Sequence, residues 1–246
     1  KINGGDLITA LCYRKMGVNV KKLVLWDLDG TLMTCGAAGT RALNETFRRL
    51  YGIEDAFTKA GIGHAMDAVV LDRIMEANKL DRKDLGRIKE QYVLILQSVL
   101  DQDSNKRVLP GVRELLEYID GSVNIFNALL TSNLRLGALA KLQSVGLERF
   151  FHTGGFGDDY GEKWDAALKG IRETEARYGV RFDKKNIFII GDSVYDIECA
   201  KKIGAVCICV ATGFADYDLL KSREPDYLFE DLSDWKKLLR IMGETI

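Results

Sequence analysis

Four continuous apolar runs constrain this chain more than any other feature: LVLWD at 23–27, IFNALLTSN at 125–133, NIFIIGDS at 186–193 and AVCICVATG at 205–213. They do not alternate with polar residues, which is the pattern of strands buried on both faces, as in a parallel sheet covered by helices. Helical patterns separate them. Residues 134–147 follow the second run, 162–179 precede the third and 194–205 follow it, while Pro110-Gly111 marks a helix start after a loop. This alternation predicts an α/β fold with a doubly wound, Rossmann-like parallel sheet. FFHTGG (150–155) and DYLFED (226–231) supply candidate edge strands.

Residues 35–108 break that rhythm with three amphipathic helical patterns and no expected strand. Leu43, Phe47, Leu50 and Tyr51 share one face, as do Met66, Val69, Val70 and Ile74, and then Leu85, Ile88, Tyr92, Ile95 and Val99. A helical block placed directly after the first strand reads as an inserted cap. The expected organisation is an N-terminal extension over 1–20, a core domain from 21–34 and 109–246, and an α-helical cap domain over 35–108. The chain crosses between the two near 34–39 and 101–109, and Gly36 and Gly39 suit a hinge at the first crossing.

Charge narrows the partners. Thirty-five basic residues against 36 acidic ones leave a net charge of −1, which gives no electrostatic reason to expect nucleic acid or an anionic membrane. No apolar run approaches the ~20 residues of a membrane-spanning helix. Residues 1–20 do not read as a signal peptide, and position 1 is Lys rather than Met. Of the five cysteines, Cys207 and Cys209 fall on one face of a strand and read as small core residues. His64 and His152 lie far from any cysteine pair, so no zinc site is expected, and a reduced, cytoplasmic setting fits best. Nothing in the sequence indicates an oligomeric state.

The chemistry is expected at the carboxyl ends of the strands, where open α/β sheets bind ligands. There the runs end in Asp27, in Thr131-Ser132-Asn133 and in Asp192. Asp29 lies two residues beyond Asp27, so both side chains can face one side before Gly30 turns the chain. Three converging carboxylates repel one another, and a hard divalent cation such as Mg²⁺ relieves that cost. Mg²⁺ favours a phosphate-bearing substrate. One carboxylate could then attack phosphorus to give an aspartyl phosphate, while a second protonates the leaving oxygen and later activates water. Taken singly, each segment is also an ordinary turn or helix N-cap. Their order and their common placement after apolar runs make the functional case.

DLDGTL (27–32), LLTSN (129–133) and GDSVYD (191–196), in this order and spacing, resemble the signature motifs of the haloacid dehalogenase-like superfamily, in particular its phosphatase branch. The resemblance runs from about residue 22 into the C-terminal region, and the helical block resembles that family's α-helical cap. It implies Asp27 as nucleophile and Asp29 as general acid and base, with the Asp29 backbone carbonyl also on the metal. It implies Thr131 as a hydrogen-bond donor to a phosphoryl oxygen, with Ser132 and Asn133 in support. Asp192 becomes the second acidic Mg²⁺ ligand, and Asp196 supports a metal-bound water or orients a lysine.

That lysine is assigned to Lys163, at the start of the helix between the second and last motifs, in preference to Lys169. Many relatives carry Lys-Pro here, whereas this chain has Lys163-Trp164. Dehalogenating relatives usually lack a second acid, so Asp29 favours phosphate esters. The implied activity is Mg²⁺-dependent hydrolysis of a small phosphorylated metabolite. A sugar phosphomutase and a phosphate-binding regulatory protein without turnover are the alternatives. In KAGIGHAMD (59–67), Lys59 and His64 are candidate substrate contacts, although an ordinary interhelix loop has the same composition.

Overall fold

A computed structural model describes residues 20–61, 65–158 and 161–245. Along these residues the strands are β1 (Lys22–Trp26), β2 (Met33–Thr34), β3 (Arg107–Val108), β4 (Ile125–Leu130), β5 (Gly154–Gly155), β6 (Ile187–Gly191), β7 (Val206–Val210) and β8 (Tyr227–Phe229). The helices are α1 (Ala38–Tyr51), α2 (Ala56–Lys59), α3 (Asp67–Ala77), α4 (Leu85–Gln102), α5 (Val112–Asp120), α6 (Arg135–Ser144), α7 (Lys163–Tyr178), α8 (Val194–Ile203), α9 (Tyr217–Ser222) and α10 (Trp235–Ile241).

Six strands form one parallel sheet in the order β5-β4-β1-β6-β7-β8. The four apolar runs are its interior strands, and the two candidate edge segments supply β5 and β8. Successive side chains point to opposite faces. Val24, Trp26, Phe188, Ile190, Ile208 and Val210 therefore enter one apolar cluster, and Leu23, Leu25, Ile187, Ile189, Cys207 and Cys209 enter the other. Cys207 and Cys209 are thus buried core residues with free thiols. Trp26 is fully enclosed, and its Nε1 donates to Asn127 Oδ1 on the neighbouring strand at 2.8 Å, so its polar atom is not orphaned.

Helices α1 to α4 lie between β2 and β3. Their buried faces, including Phe47, Leu71, Ile74, Ile88 and Leu96, join Leu134, Ala138 and Leu142 beside and along α6 in a cluster continuous with one face of the sheet. Gly137 allows α4 to approach α6, since a Cβ there would sit 3.2 Å from Tyr92 Cε1. The chain enters and leaves this helical segment through an antiparallel pair, β2 on β3, with Met33 opposite Val108 and Thr34 opposite Arg107. No strand was expected there, because two residues are too few to carry a period. Gly36 takes the left-handed turn at φ +55, whereas Gly39 lies inside α1.

Candidate active site

Because β1 sits between β4 and β6, the three strand ends that carry polar groups are immediate neighbours on one edge of the sheet. Asp27 follows β1 and extends the ladder, its N–H donating to Ile190 O at 2.9 Å. Thr131 follows β4, its N–H donating to Gly155 O at 3.1 Å. Asp192 follows β6 and accepts from Thr31 Oγ1 at 3.1 Å. Two glycines make room for it. A Cβ on Gly30, which turns the chain at φ +87, would lie 2.6 Å from Asp192 Oδ2, and one on Gly213 would lie 1.5 Å from the same oxygen.

Asp196 is fixed by a capping box at the start of α8, where the Ser193 N–H and Oγ–H donate to its Oδ2 at 3.1 and 2.6 Å. Lys163, the first residue of α7, reaches in from the side. Its Nζ stands 2.7 Å from Asp27 Oδ1 and 2.7 Å from Asp196 Oδ1. Asp27, Asp192 and Asp196 present oxygens within 4.8 Å of one another.

One ammonium faces three buried carboxylates, and their acidities record the imbalance. Burial pushes the Asp27 carboxyl up to about 6; the pull of Lys163 opposes this and the charge of Asp196 adds to it. Burial, followed by the charges of Asp27 and Asp196, pushes Asp192 up to about 9. Burial works against charge on Lys163, but Asp196 and Asp27 outweigh it and hold the ammonium above its ordinary range. Excess buried negative charge on hard oxygen donors is the chemistry that a divalent cation neutralises, so these residues fit a metal ion.

Asp29 has different surroundings. Its Oδ2 accepts from Lys141 Nζ at 2.6 Å and from Asn133 Nδ2 at 2.8 Å, and Cys35 Sγ lies 3.6 Å from Oδ1. Burial opposes ionisation of Asp29, but the Lys141 charge and these hydrogen bonds outweigh it and lower its pKa. Asn133 also donates to Thr131 Oγ1, from Nδ2 at 2.7 Å and from its backbone N–H at 3.2 Å. Sequence reasoning missed Lys141. The signal was present, since Lys141 occupies the apolar stripe of α6, seven residues after Leu134 and beside Leu142, where a solvated lysine does not belong.

The site opens into a cavity of about 390 Å³, within the ~300–1,000 Å³ typical of small-molecule sites. The expected residues Asp27, Asp29, Thr131, Ser132, Asn133, Lys163 and Asp192 all reach its wall. Met66, Val69 and Arg73, in and just before α3, close another side, and Tyr195 and Phe214 complete the rim. Helix α3 is docked onto the sheet edge by the Asp67 N–H on Ser132 O at 2.9 Å and the Ala68 N–H on Gly157 O at 2.8 Å. The Leu134 N–H donates to Asp67 Oδ2 at 2.9 Å, yet burial still pushes that carboxyl up to about 6. Lys59 ends α2, is exposed and does not line the cavity; His64 lies outside the described residues. Lys169 is exposed on α7 and borders a separate cavity with Arg135 and Asp158.

Residues 24–210 match the family model described as haloacid dehalogenase-like hydrolase, and the chain belongs to that family. Among curated proteins it is 27% identical over 225 residues to a phosphoglycolate phosphatase of Pseudomonas savastanoi pv. phaseolicola, covering 86% of this chain and 77% of that one. It is 23% identical over 224 residues to pyrophosphatase PpaX of Oceanobacillus iheyensis, covering 91% and 98%. The fold matches a crystal structure of a putative beta-phosphoglucomutase from Thermotoga maritima with a TM-score of 0.58 at 24% identity, covering 89% of this chain and 99% of that one. The protein is a haloacid dehalogenase-like phosphatase, an enzyme for small phosphate substrates. No helix among the described residues is long and apolar enough to cross a membrane.

Proposed function

We propose that this protein is a Mg²⁺-dependent phosphomonoesterase working through an aspartyl phosphate on Asp27. The observation that carries this reading is the meeting of Asp27, Thr131 and Asp192 at adjacent strand ends, with Lys163 Nζ 2.7 Å from Asp27. Asp29, a carboxylate in the resting site, takes up the proton that a phosphate monoester monoanion brings and passes it to the leaving oxygen as a carboxylate oxygen of Asp27 attacks phosphorus. Asp29 then takes a proton from water, which attacks the aspartyl phosphate and releases inorganic phosphate and free Asp27. Lys163 neutralises the nucleophile and the transferring group. Thr131 Oγ1 already accepts two hydrogen bonds from Asn133, so its own proton is left to donate to a phosphoryl oxygen. Asp27, Asp192 and the Asp29 carbonyl are suited to hold Mg²⁺, which supplies charge neutralisation at the phosphoryl oxygens.

Residues 35–108 act in this reading as a cap, with α3 excluding water from the cavity. Arg73 has no hydrogen bond or ion pair among the described residues and stands at the cavity wall. It suits a small phosphorylated metabolite with a second anionic group. Phosphate release should require Mg²⁺, stop with EDTA and vanish in Asp27→Asn. Wild-type rates in Asp27→Asn would sink the mechanism. Stoichiometric release of free phosphate also separates hydrolysis from phosphomutase chemistry, which returns the group to a sugar.

A further inference from the structure

We propose that Lys141 is a positioning residue that orients Asp29, Asn133 and Thr131 as one unit, a role that rests on the phosphatase reading above. Lys141 is only 4% exposed and does not line the cavity, so it acts through its neighbours. Its Nζ closes a triangle, 2.6 Å to Asp29 Oδ2 and 2.7 Å to Asn133 Oδ1, with Asn133 Nδ2 2.8 Å from the same Asp29 oxygen. Asp29 is its only ion-pair partner among the described residues.

The direction of the network follows from donor chemistry. An ammonium can only donate, so the amide oxygen of Asn133 must face Lys141. That leaves the amide nitrogen to face Asp29 and Thr131, and Thr131 Oγ1 becomes an acceptor whose own proton points away. A single cation therefore sets both the carboxylate position and the polarity of the hydroxyl. Helix α1 covers the ammonium, since a Cβ on Gly39 would lie 3.6 Å from Nζ. Packing does not demand a lysine here. An apolar residue at 141 would continue the stripe of Leu134, Ala138 and Leu142, and lysines are rarely buried unless paired.

The test compares Lys141→Met, Asp29→Asn and the double variant, with Lys141→Gln in reserve should Met cost folding. The first readout is thermal unfolding, which does not depend on activity. The two single losses in Tm should exceed the loss of the double variant, because the partners form one unit. The second readout is the leaving group. Lys141→Met should lose about tenfold or more on an alkyl phosphate such as glycerol 3-phosphate, where acid catalysis counts, and much less on p-nitrophenyl phosphate. The double variant should be no slower than Asp29→Asn alone. Additive Tm losses, or equal fold-losses on both substrates, overturn the proposal. Coupled Tm losses in the variants, together with a wild-type protein that hydrolyses neither ester, overturn the phosphatase reading and this role with it.

Discussion

Replacing Gly213 with alanine tests the site through geometry alone. The added Cβ would sit 1.5 Å from Asp192 Oδ2 and 2.4 Å from its Cγ, whereas real Cβ atoms stay at least 3.0 Å from other atoms, so something must move by about 1.5 Å. Asp192 has little room to retreat, because Gly30 packs on the same oxygen and Thr31 holds the other. The loop has little freedom either, since Thr212 Oγ1 donates to Gly30 O at 2.5 Å. A displacement near 1 Å in a reacting constellation costs about 10²-fold in rate. The expected result is therefore a fall of about two orders of magnitude in kcat for phosphate release at saturating Mg²⁺, with a folded protein by circular dichroism. Gly86→Ala is the control. It has open space around its Cβ and lies in the first turn of α4, where alanine favours the helix by up to about 1 kcal/mol. If Gly213→Ala turns over within about twofold of wild type, Asp192 is not where the chemistry needs it and the argument fails.

Two further outcomes follow from the wall formed by α3. Asp67 has a folded pKa raised from 3.8 to about 6, so it favours the native state below the unfolded value and that contribution is lost as pH rises toward about 6. Urea titrations of wild type and Asp67→Asn should thus show the wild-type advantage shrinking between about pH 4 and 6 and levelling above it; an advantage that grows over this window contradicts the burial of that carboxyl. Arg73→Ala should raise KM for an anionic metabolite phosphate several-fold more than it lowers kcat, and an unchanged KM would remove Arg73 from the binding surface.

The sheet was legible because its interior strands are unbroken apolar runs, and the runs at Asp27, Thr131 and Asp192 end where the chain leaves the sheet. Lys163 was legible only through the resemblance, which calls for a basic residue at the start of the helix between the second and last motifs. Lys141 was not, because helical periodicity treats a lone charged residue on an apolar stripe as an exception rather than as a signal. Its meaning appears only when Asp29, 112 residues earlier, is seen beside it. The docking of α3 was illegible in a different way. It depends on backbone groups of Ser132 and Gly157, and its one side-chain requirement is an absence: a Cβ on Gly157 would sit 1.8 Å from Ser132 O. Lys59 shows the converse, a residue with suitable chemistry that the chain leaves in solvent away from the cavity.

The pairing of Met33 with Val108 and Thr34 with Arg107 makes the intervening stretch a cassette with both ends stapled at one point. Neither staple belongs to the six-stranded sheet, so material exchanged between them should leave that sheet's register unchanged. The exchange is not unconstrained, because any replacement must offer a surface that seats on Gly137 and Ala138 of α6 and still covers Lys141. Chimeras spliced between residues 34 and 107 should therefore inherit selectivity from the donor while keeping the host's reaction, provided the donor helix opposite α6 carries an aromatic or similarly flat side chain where Tyr92 stands.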